Sequence, residues 1–419
     1  MKAVLDITLL GQGYYYPKAR TGVYRVVENM VASMPKISAE LDMSYIDTLD
    51  LAATLRYLKE NYEDIDDFKF INAQSETSWA KYENFLLESC PLHSNRQKIL
   101  KRFFYQLKSK KNGLSNESLE KVELYHSPYF PIPEQILVQK NIKKLLTIHD
   151  LIPIKFPQYF ENRTDTVVHK IINSITADTF AVCVSENTKN DLLEMTELSD
   201  SQVFVVPLAA SKQIFYPENN VNLIENTRLK YGIPSETSYV LSIATLEPRK
   251  NIETLINSFA ELIVQEKLND LYLLLVGTKG WDFEKILETS KFSTLVKERI
   301  IFTGYVPDTD LASLYSGALT FVYLSHYEGF GLPVLEAMQC GKSVICSNTS
   351  SLPEVIGEKS NAAILVSPTD NTAVSDAIFN FYKNPSFNEI IGQNGLERSL
   401  FFSWQKFAKD TWEVYQNIV

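Results

Sequence analysis

Apolar residues in this chain follow two alternating patterns. Short, largely apolar runs at residues 4–10, 124–125, 144–148, 180–184 and 203–206, and again at 239–243, 272–276, 300–302, 319–324, 344–346 and 363–366, have the length of buried strands. Between them apolar positions recur at helical spacing, as at Val23, Val26, Val27, Met30 and Val31, around 163–177, and across 251–263, 310–317 and 333–340. Strands alternating with helices predict an α/β fold with a parallel, doubly wound sheet. The alternation runs twice, which predicts two such domains facing a crevice. Pro207 and the run Pro217-Glu218-Asn219-Asn220 mark the crossing, so the expected division is 1–216, 217–400 and an aromatic amphipathic tail at 401–419. Residues of about 51–116 lose the rhythm and read as helices inserted into the first domain.

Composition narrows the function. With 41 basic and 51 acidic residues the formal charge is -10, which disfavours general nucleic-acid binding. Cys90, Cys183, Cys340 and Cys346 are scattered without metal-ligand pairing, as expected of buried thiols in a reducing cytoplasm. Asp6 interrupts the first apolar run, which argues against a signal peptide, and no apolar run is long enough to span a membrane. The loop expected at Gly11-Gln12-Gly13-Tyr14-Tyr15-Tyr16 has tyrosine where a dinucleotide fingerprint needs its third glycine, so no nicotinamide cofactor is expected, nor any other.

One stretch gathers the chemistry: His326-Tyr327-Glu328-Gly329-Phe330-Gly331-Leu332-Pro333-Val334-Leu335-Glu336. It follows the strand at 319–324 and leads into helix formers, with Pro333 where a first helical turn tolerates it. Its glycines let a ligand approach backbone closely, and the helix N-terminus favours an anion. Glu328 and Glu336 flank that turn, and carboxylates accept hydrogen bonds from sugar hydroxyls. Arg249 and Lys250 stand before another helix, where the dipole disfavours cations unless an anion joins them. His149 and Asp150 end one strand and His126 another, and ligands bind at carboxyl ends of strands in open α/β sheets.

The glutamate pair separated by Gly-Phe-Gly-Leu-Pro resembles the donor-site signature of retaining glycosyltransferases of family 4. Ala244-Thr245-Leu246-Glu247-Pro248-Arg249-Lys250-Asn251, Thr147-Ile148-His149-Asp150-Leu151-Ile152-Pro153, Val184-Ser185-Glu186-Asn187-Thr188-Lys189 and Thr21-Gly22-Val23-Tyr24-Arg25 resemble further landmarks of that family, in order. The resemblance implies the GT-B architecture, with the tail at 401–419 returning to the first domain. It also implies roles. Glu328 and His149 contact the transferred sugar, backbone N–H groups from Phe330 through Gly331 to Leu332 contact sugar or phosphate, and Glu336 binds ribose. Gly22 admits the diphosphate, Arg249 and Lys250 neutralise it, and Val306 in Gly304-Tyr305-Val306 holds the base, with Gly277, Lys279 and Trp281 nearby. Asp150 and His126 fall on the acceptor side. Thr245 stands where many relatives carry arginine, which shifts phosphate contact toward Arg249. Asp308-Thr309-Asp310 looks like a metal-binding triplet of another glycosyltransferase architecture, but after Pro307 it reads as an acidic helix start, so no metal is expected.

By resemblance to mannosyltransferases of surface-polysaccharide assembly the first donor is GDP-mannose, then a UDP- or dTDP-hexose, and the acceptor a saccharide or lipid-linked saccharide. Retention by same-face attack is expected, with a covalent sugar on Glu328 as its competitor. A non-catalytic nucleotide-sugar-binding subunit, a phosphorylase and an epimerase are the other classes. Residues 96–111, bounded by Arg96 and Lys111, hold seven basic residues and no acid around Ile99, Leu100, Phe103, Phe104 and Leu107. That pattern suits either an anionic membrane surface or an ordinary surface helix.

Overall fold

The structure is a computed structural model and describes residues 1–15, 22–65, 67–88, 90, 94–107, 114, 116–278, 280 and 294–419. The first sheet contains β1 (Lys2–Asp6), β2 (Asp42–Ile46), β3 (Leu124–Ser127), β4 (Lys143–Ile148), β5 (Thr179–Cys183) and β6 (Val203–Val205) in the order β2-β1-β3-β4-β5-β6. The second contains β7 (Ser238–Ile243), β8 (Leu271–Val276), β9 (Ile300–Gly304), β10 (Thr320–Tyr323), β11 (Val344–Ser347) and β12 (Ile364–Val366) in the order β12-β11-β10-β7-β8-β9. Every pairing between named strands is parallel. The second order reverses direction between β7 and β10. Loops leaving those two strands therefore diverge and open a crevice at the strand ends.

Helices that bear on the site are α1 (Thr8–Tyr15), α2 (Gly22–Ser33), α3 (Leu51–Asn61), α4 (Gln74–Leu87), α5 (Asn95–Leu107), α6 (Glu186–Met195), α7 (Ile252–Gln265), α8 (Asp308–Gly317), α9 (Leu332–Gln339) and α10 (Trp404–Ile418). Ser185 caps α6 by accepting the Thr188 N–H at 3.0 Å, and Ser403 caps α10 through Lys406 N–H at 3.1 Å. The buried face of α10 carries Phe407, Trp412, Tyr415 and Ile418 and packs on α2. Each such side chain contributes about 2 kcal/mol by leaving water. The tail thus returns to the first domain, as expected. One apolar cluster runs through it, from Val27 and Met30 past Phe407 and Tyr415 to Phe215, Tyr315 and Leu335.

Two local expectations fail, and one strand is missed. The first strand ends at Asp6, and residues 8–15 form a helix in place of the expected strand end at 8–10 and loop from Gly11. Asp6 turns the chain by accepting the Thr8 N–H at 3.0 Å, and the two glycines serve packing. A Cβ on Gly11 would lie 2.4 Å from Thr54 Oγ1, and one on Gly13 2.1 Å from the Tyr24 ring. Tyr16 lies outside the described residues. The apolar runs do not mark β2, because Asp42 and Ser44 interrupt it; Ser44 is nevertheless buried. The helix expected over 163–177 is shorter, Val167–Asn173, with Thr166 as its cap.

The insertion is helical, as α3, α4 and α5. Phe104 is 3% exposed and Phe103 54%, so only one of the two phenylalanines of the basic stretch is free of the first domain. Residues 108–111, with Lys108 and Lys111, lie outside the described part.

Candidate active site

A cleft of about 990 Å³ lies between the two sheets. Its second-domain wall is built by the loops leaving β7 and β10, the pair that flanks the reversal of strand order. After β7 a 3-10 turn, Pro248–Lys250, presents Arg249 and Lys250, and Asn251 at φ 54° ends it before α7 begins. The Asn251 amide fixes that corner by donating to the Pro368 carbonyl at 2.6 Å. After β10 the chain turns through Glu328, Gly329, Phe330 and Gly331. Gly331, at φ 116°, is the N-cap of α9 and takes a conformation that other residues rarely adopt.

The centre of the wall is one carboxylate held by two cations. Glu328 Oε1 accepts from Lys250 Nζ at 2.5 Å and lies 3.1 Å from Arg249 Nη1. Tyr323 donates to the same oxygen at 2.8 Å, and Lys250 donates to Tyr323 at 2.7 Å. Arg249 is itself fixed by Glu247 at 2.9 Å and the Tyr327 carbonyl at 2.8 Å. Burial alone would raise the Glu328 pKa, but Lys250 and Arg249 outweigh it and hold it at about 2. Glu328 therefore stays ionised at neutral pH, between two cations that can also serve phosphate oxygens.

Glu336 stands one turn into α9. Its carboxylate accepts from Arg25 at 3.2 Å and from Tyr315 at 3.2 Å, while burial raises its pKa against the pull of Arg25. Arg25 comes from α2 in the first domain and also reaches Asp308 at 2.7 Å. Sequence reasoning placed no role on it. An arginine in the first turn of a helix opposes the dipole just as Arg249 and Lys250 do, and that signal could have found it.

The first-domain wall carries His149 and Asp150, and Gly22 opens α2 opposite Leu332. His149 Nε2 bonds the Pro128 carbonyl at 2.9 Å. A carbonyl only accepts, so Nε2 bears the proton, and with burial lowering the pKa to about 4 the ring is neutral with Nδ1 as an acceptor. Asp150 accepts the Ile152 N–H at 3.0 Å; burial raises its pKa and Arg249 opposes that. Thr245, Gly277, Tyr305, Val306, Phe330, Gly331 and Leu332 line the same cleft. Lys279, Trp281 and Thr21 lie outside the described residues.

His126 is a correction. It is 1% exposed and bonds Tyr415 through Nδ1 and Thr147 through Nε2, both at 2.8 Å. It anchors α10 to the first sheet and does not line the cleft. A strand-end position allows either a core or a cleft direction, and here the returning helix claims the ring. Asp308 and Asp310 do lie in the first turn of α8, but the cap residue is Pro307. Asp310 bonds Lys230 at 2.6 Å and Tyr231 at 2.5 Å, on a different partner set from Asp308.

The two buried histidines make stability depend on pH. Burial lowers the pKa of His126 to about 3 and of His149 to about 4, against 6.5 for a free ring. Between those values and 6.5 the unfolded chain binds protons that the folded chain does not, so stability rises with pH across the window. Urea midpoints should fall as pH drops from about 6.5 toward 4, and His126→Asn should flatten that slope. An unchanged slope in the variant would mean that His126 is not the buried neutral group described.

The walls meet at the glycine turn. A Cβ on Gly329 would lie 1.8 Å from the His149 carbonyl oxygen. Ser185 and Thr188 hydroxyls donate to the Gly329 carbonyl at 2.6 and 3.1 Å. Glu354, from the second domain, accepts the N–H groups of Glu186 and Asn187 at 2.8 Å each, so it caps α6 across the crevice. Tyr327 adds bonds to Asp191 at 2.5 Å and Asn187 at 2.8 Å.

Known proteins resemble this chain in sequence and in fold. Residues 224–398 match the family described as Glycosyl transferases group 1. The O-antigen chain mannosyltransferase B of Escherichia coli is 32% identical over 294 residues, 70% of this chain and 74% of that protein. The serotype-specific mannosyltransferase WbdA of Escherichia coli is 30% identical over 269 residues, 64% of this chain but only 32% of its own length. Among solved structures, the sucrose-phosphate synthase of Thermosynechococcus elongatus superposes with a TM-score of 0.65 at 21% identity over 99% of this chain and 98% of its own. The Anabaena protein HepE in complex with UDP gives 0.65 at 14% over 99% of each. With two parallel-sheet domains, the glutamate pair and the likeness to mannosyltransferase B of Escherichia coli in agreement, the chain belongs to the group 1 glycosyl transferases, the family-4 enzymes of GT-B fold.

Proposed function

We propose that the chain is a retaining, metal-independent mannosyltransferase that moves mannose from GDP-mannose to a saccharide or lipid-linked saccharide in surface-polysaccharide synthesis. The observation that carries this reading is Glu328 set between Lys250 and Arg249 beside the glycine turn of α9. Charge grows on the leaving diphosphate as the anomeric bond breaks, and cations fixed in a protein-lined cleft stabilise it most in the transition state. The α9 N-terminus adds a partial positive charge without an ion. In this reading the acceptor hydroxyl attacks from the face the diphosphate leaves, and a donor phosphate oxygen takes its proton. His149, neutral, offers Nδ1 to a sugar hydroxyl, and Glu336 receives the ribose. The choice of mannose rests on the names of the two Escherichia coli relatives.

Residues 1–216 are assigned to the acceptor, 217–400 to the donor and 401–419 to joining the two. Among the described residues no helix is long and apolar enough to cross a membrane, and the four cysteines are free and buried. Both accord with a cytoplasmic enzyme, peripheral at the inner face of the plasma membrane. GDP-mannose should raise the unfolding temperature more than UDP- or dTDP-hexoses at equal concentration, and its hydrolysis without acceptor should persist in excess chelator. A larger shift with another base would change the donor. Loss of hydrolysis that magnesium restores would bring Asp308 and Asp310 back as ligands.

A further inference from the structure

The helical insertion has a face that the transfer reaction does not use. α4 turns Ala80, Glu83 and Leu87 inward and leaves Trp79 48%, Tyr82 53% and Phe85 72% exposed. Beside it α5 buries Gln97 and Phe104 while Ile99 is 69% exposed and Phe103 54%. Phe104 joins the helices, its ring centroid 6.3 Å from Trp79, 6.2 Å from Tyr82 and 5.9 Å from Phe103. A groove lined by Leu86, Arg96, Ile99 and Leu100 runs between them. Large apolar side chains gathered in this way mark an interaction surface.

Charge decides what covers it. The chain carries -10 overall, yet Lys81, Arg96, Lys98 and Arg102 are all exposed on these two helices. Glu88, the exposed acid at the end of α4, is paired with Lys59 at 3.0 Å. Lys101 takes no part, because it turns inward over the Tyr15 ring toward Asp50. A second copy docked face to face would bring these cations against their own equivalents. An anionic bilayer meets both features, since phosphates pair with the cations while aromatic rings enter the headgroup boundary.

We propose that α4 and α5 together dock the protein on an anionic lipid surface, with Tyr82, Phe85, Ile99 and Phe103 inserted and Arg96 and Arg102 on lipid phosphates. This rests on the transferase reading only in choosing a bilayer, where a lipid-linked acceptor would lie; adsorption itself needs no turnover. The test is sedimentation of the full chain with vesicles of phosphatidylglycerol and phosphatidylethanolamine, and with vesicles of phosphatidylcholine alone. Wild type should partition at least about tenfold more strongly onto the anionic vesicles, and Arg96→Glu/Arg102→Glu should remove most of that preference. Phe85→Ser/Phe103→Ser should leave weaker binding that high salt abolishes, whereas wild type retains a part that salt does not screen. All four side chains are exposed, so the thermal midpoints of these variants should match wild type, with Arg96→Gln/Arg102→Gln as a milder pair. Equal sedimentation of wild type and variants, or no wild-type binding to anionic vesicles, overturns the proposal. So does self-association without lipid that the same substitutions abolish. Donor hydrolysis, which the variants should retain, reports separately on the transferase reading.

Discussion

Gly329→Ala is expected to lower turnover by about a hundredfold while the protein stays folded. The added methyl would lie 1.8 Å from the His149 carbonyl oxygen and 2.9 Å from Asp150 Cβ, and the first of these is backbone that cannot rotate away. Either the glycine turn or the first-domain wall must shift by about an ångström or more, and a shift of that size between reacting groups costs about two orders of magnitude. The same shift lengthens the bonds that Ser185 and Thr188 make to the Gly329 carbonyl. Donor binding depends mainly on the second domain, so calorimetry should still detect nucleotide in the variant, which separates domain misalignment from unfolding. Wild-type turnover in the variant would show that the close approach at Gly329 is not needed for the reaction.

Lys250→Ala should lower turnover at least tenfold, about 1.4 kcal/mol of barrier, with a smaller change in the KM for donor. The fold should tolerate the loss, because Glu328 keeps Arg249 at 3.1 Å and Tyr323 at 2.8 Å and is not left buried without a partner. What is lost is a cation within reach of the leaving diphosphate, whose effect grows as charge develops, so kcat should carry most of the change. Steady-state kinetics on the purified variant decide the matter. An unaltered kcat in a well-folded variant would remove Lys250 from the reaction.

Much of this was legible in the sequence, and the rest was hidden for identifiable reasons. Strands β5 and β8 are buried along most of their length and read as unbroken apolar runs, and β4, β7 and β10 stay mostly apolar around a single Thr or Ser. β2 is just as buried along most of its length, but Ser44 sits in its middle and the run disappears. Residues 8–15 contain two glycines and a polar break, the usual marks of a loop, and only the packing of Thr54 and Tyr24 explains why a helix is made there. At the site, Arg249 and Lys250 stand out because cations at a helix start oppose its dipole, and Glu328 and Glu336 because they flank a glycine turn. The partners themselves were less visible. Arg25 reaches Glu336 and Glu354 caps α6 from the opposite domain, contacts between residues separated by 311 and 168 positions. His126 shows the converse error, since local sequence gave it a strand-end position while Tyr415, 289 residues away, fixes its direction.

The return of α10 limits how the molecule can move. The chain passes between domains once after β6 and again before α10, the first passage against the end of α9 and the second against the turn that leads into it. At the first, the Phe215 carbonyl accepts from the Gln339 amide at 2.8 Å; at the second, Phe402 stacks edge-on against Phe330 with centroids 5.8 Å apart. Two bodies joined at one point can swivel about three axes, whereas two bodies joined at two points turn freely only about the line through both. Any opening is thus reduced to a single rotational degree of freedom whose axis runs beside the helix that carries Glu336, so the rim farthest from that axis sweeps the widest arc while the glycine turn near it moves least.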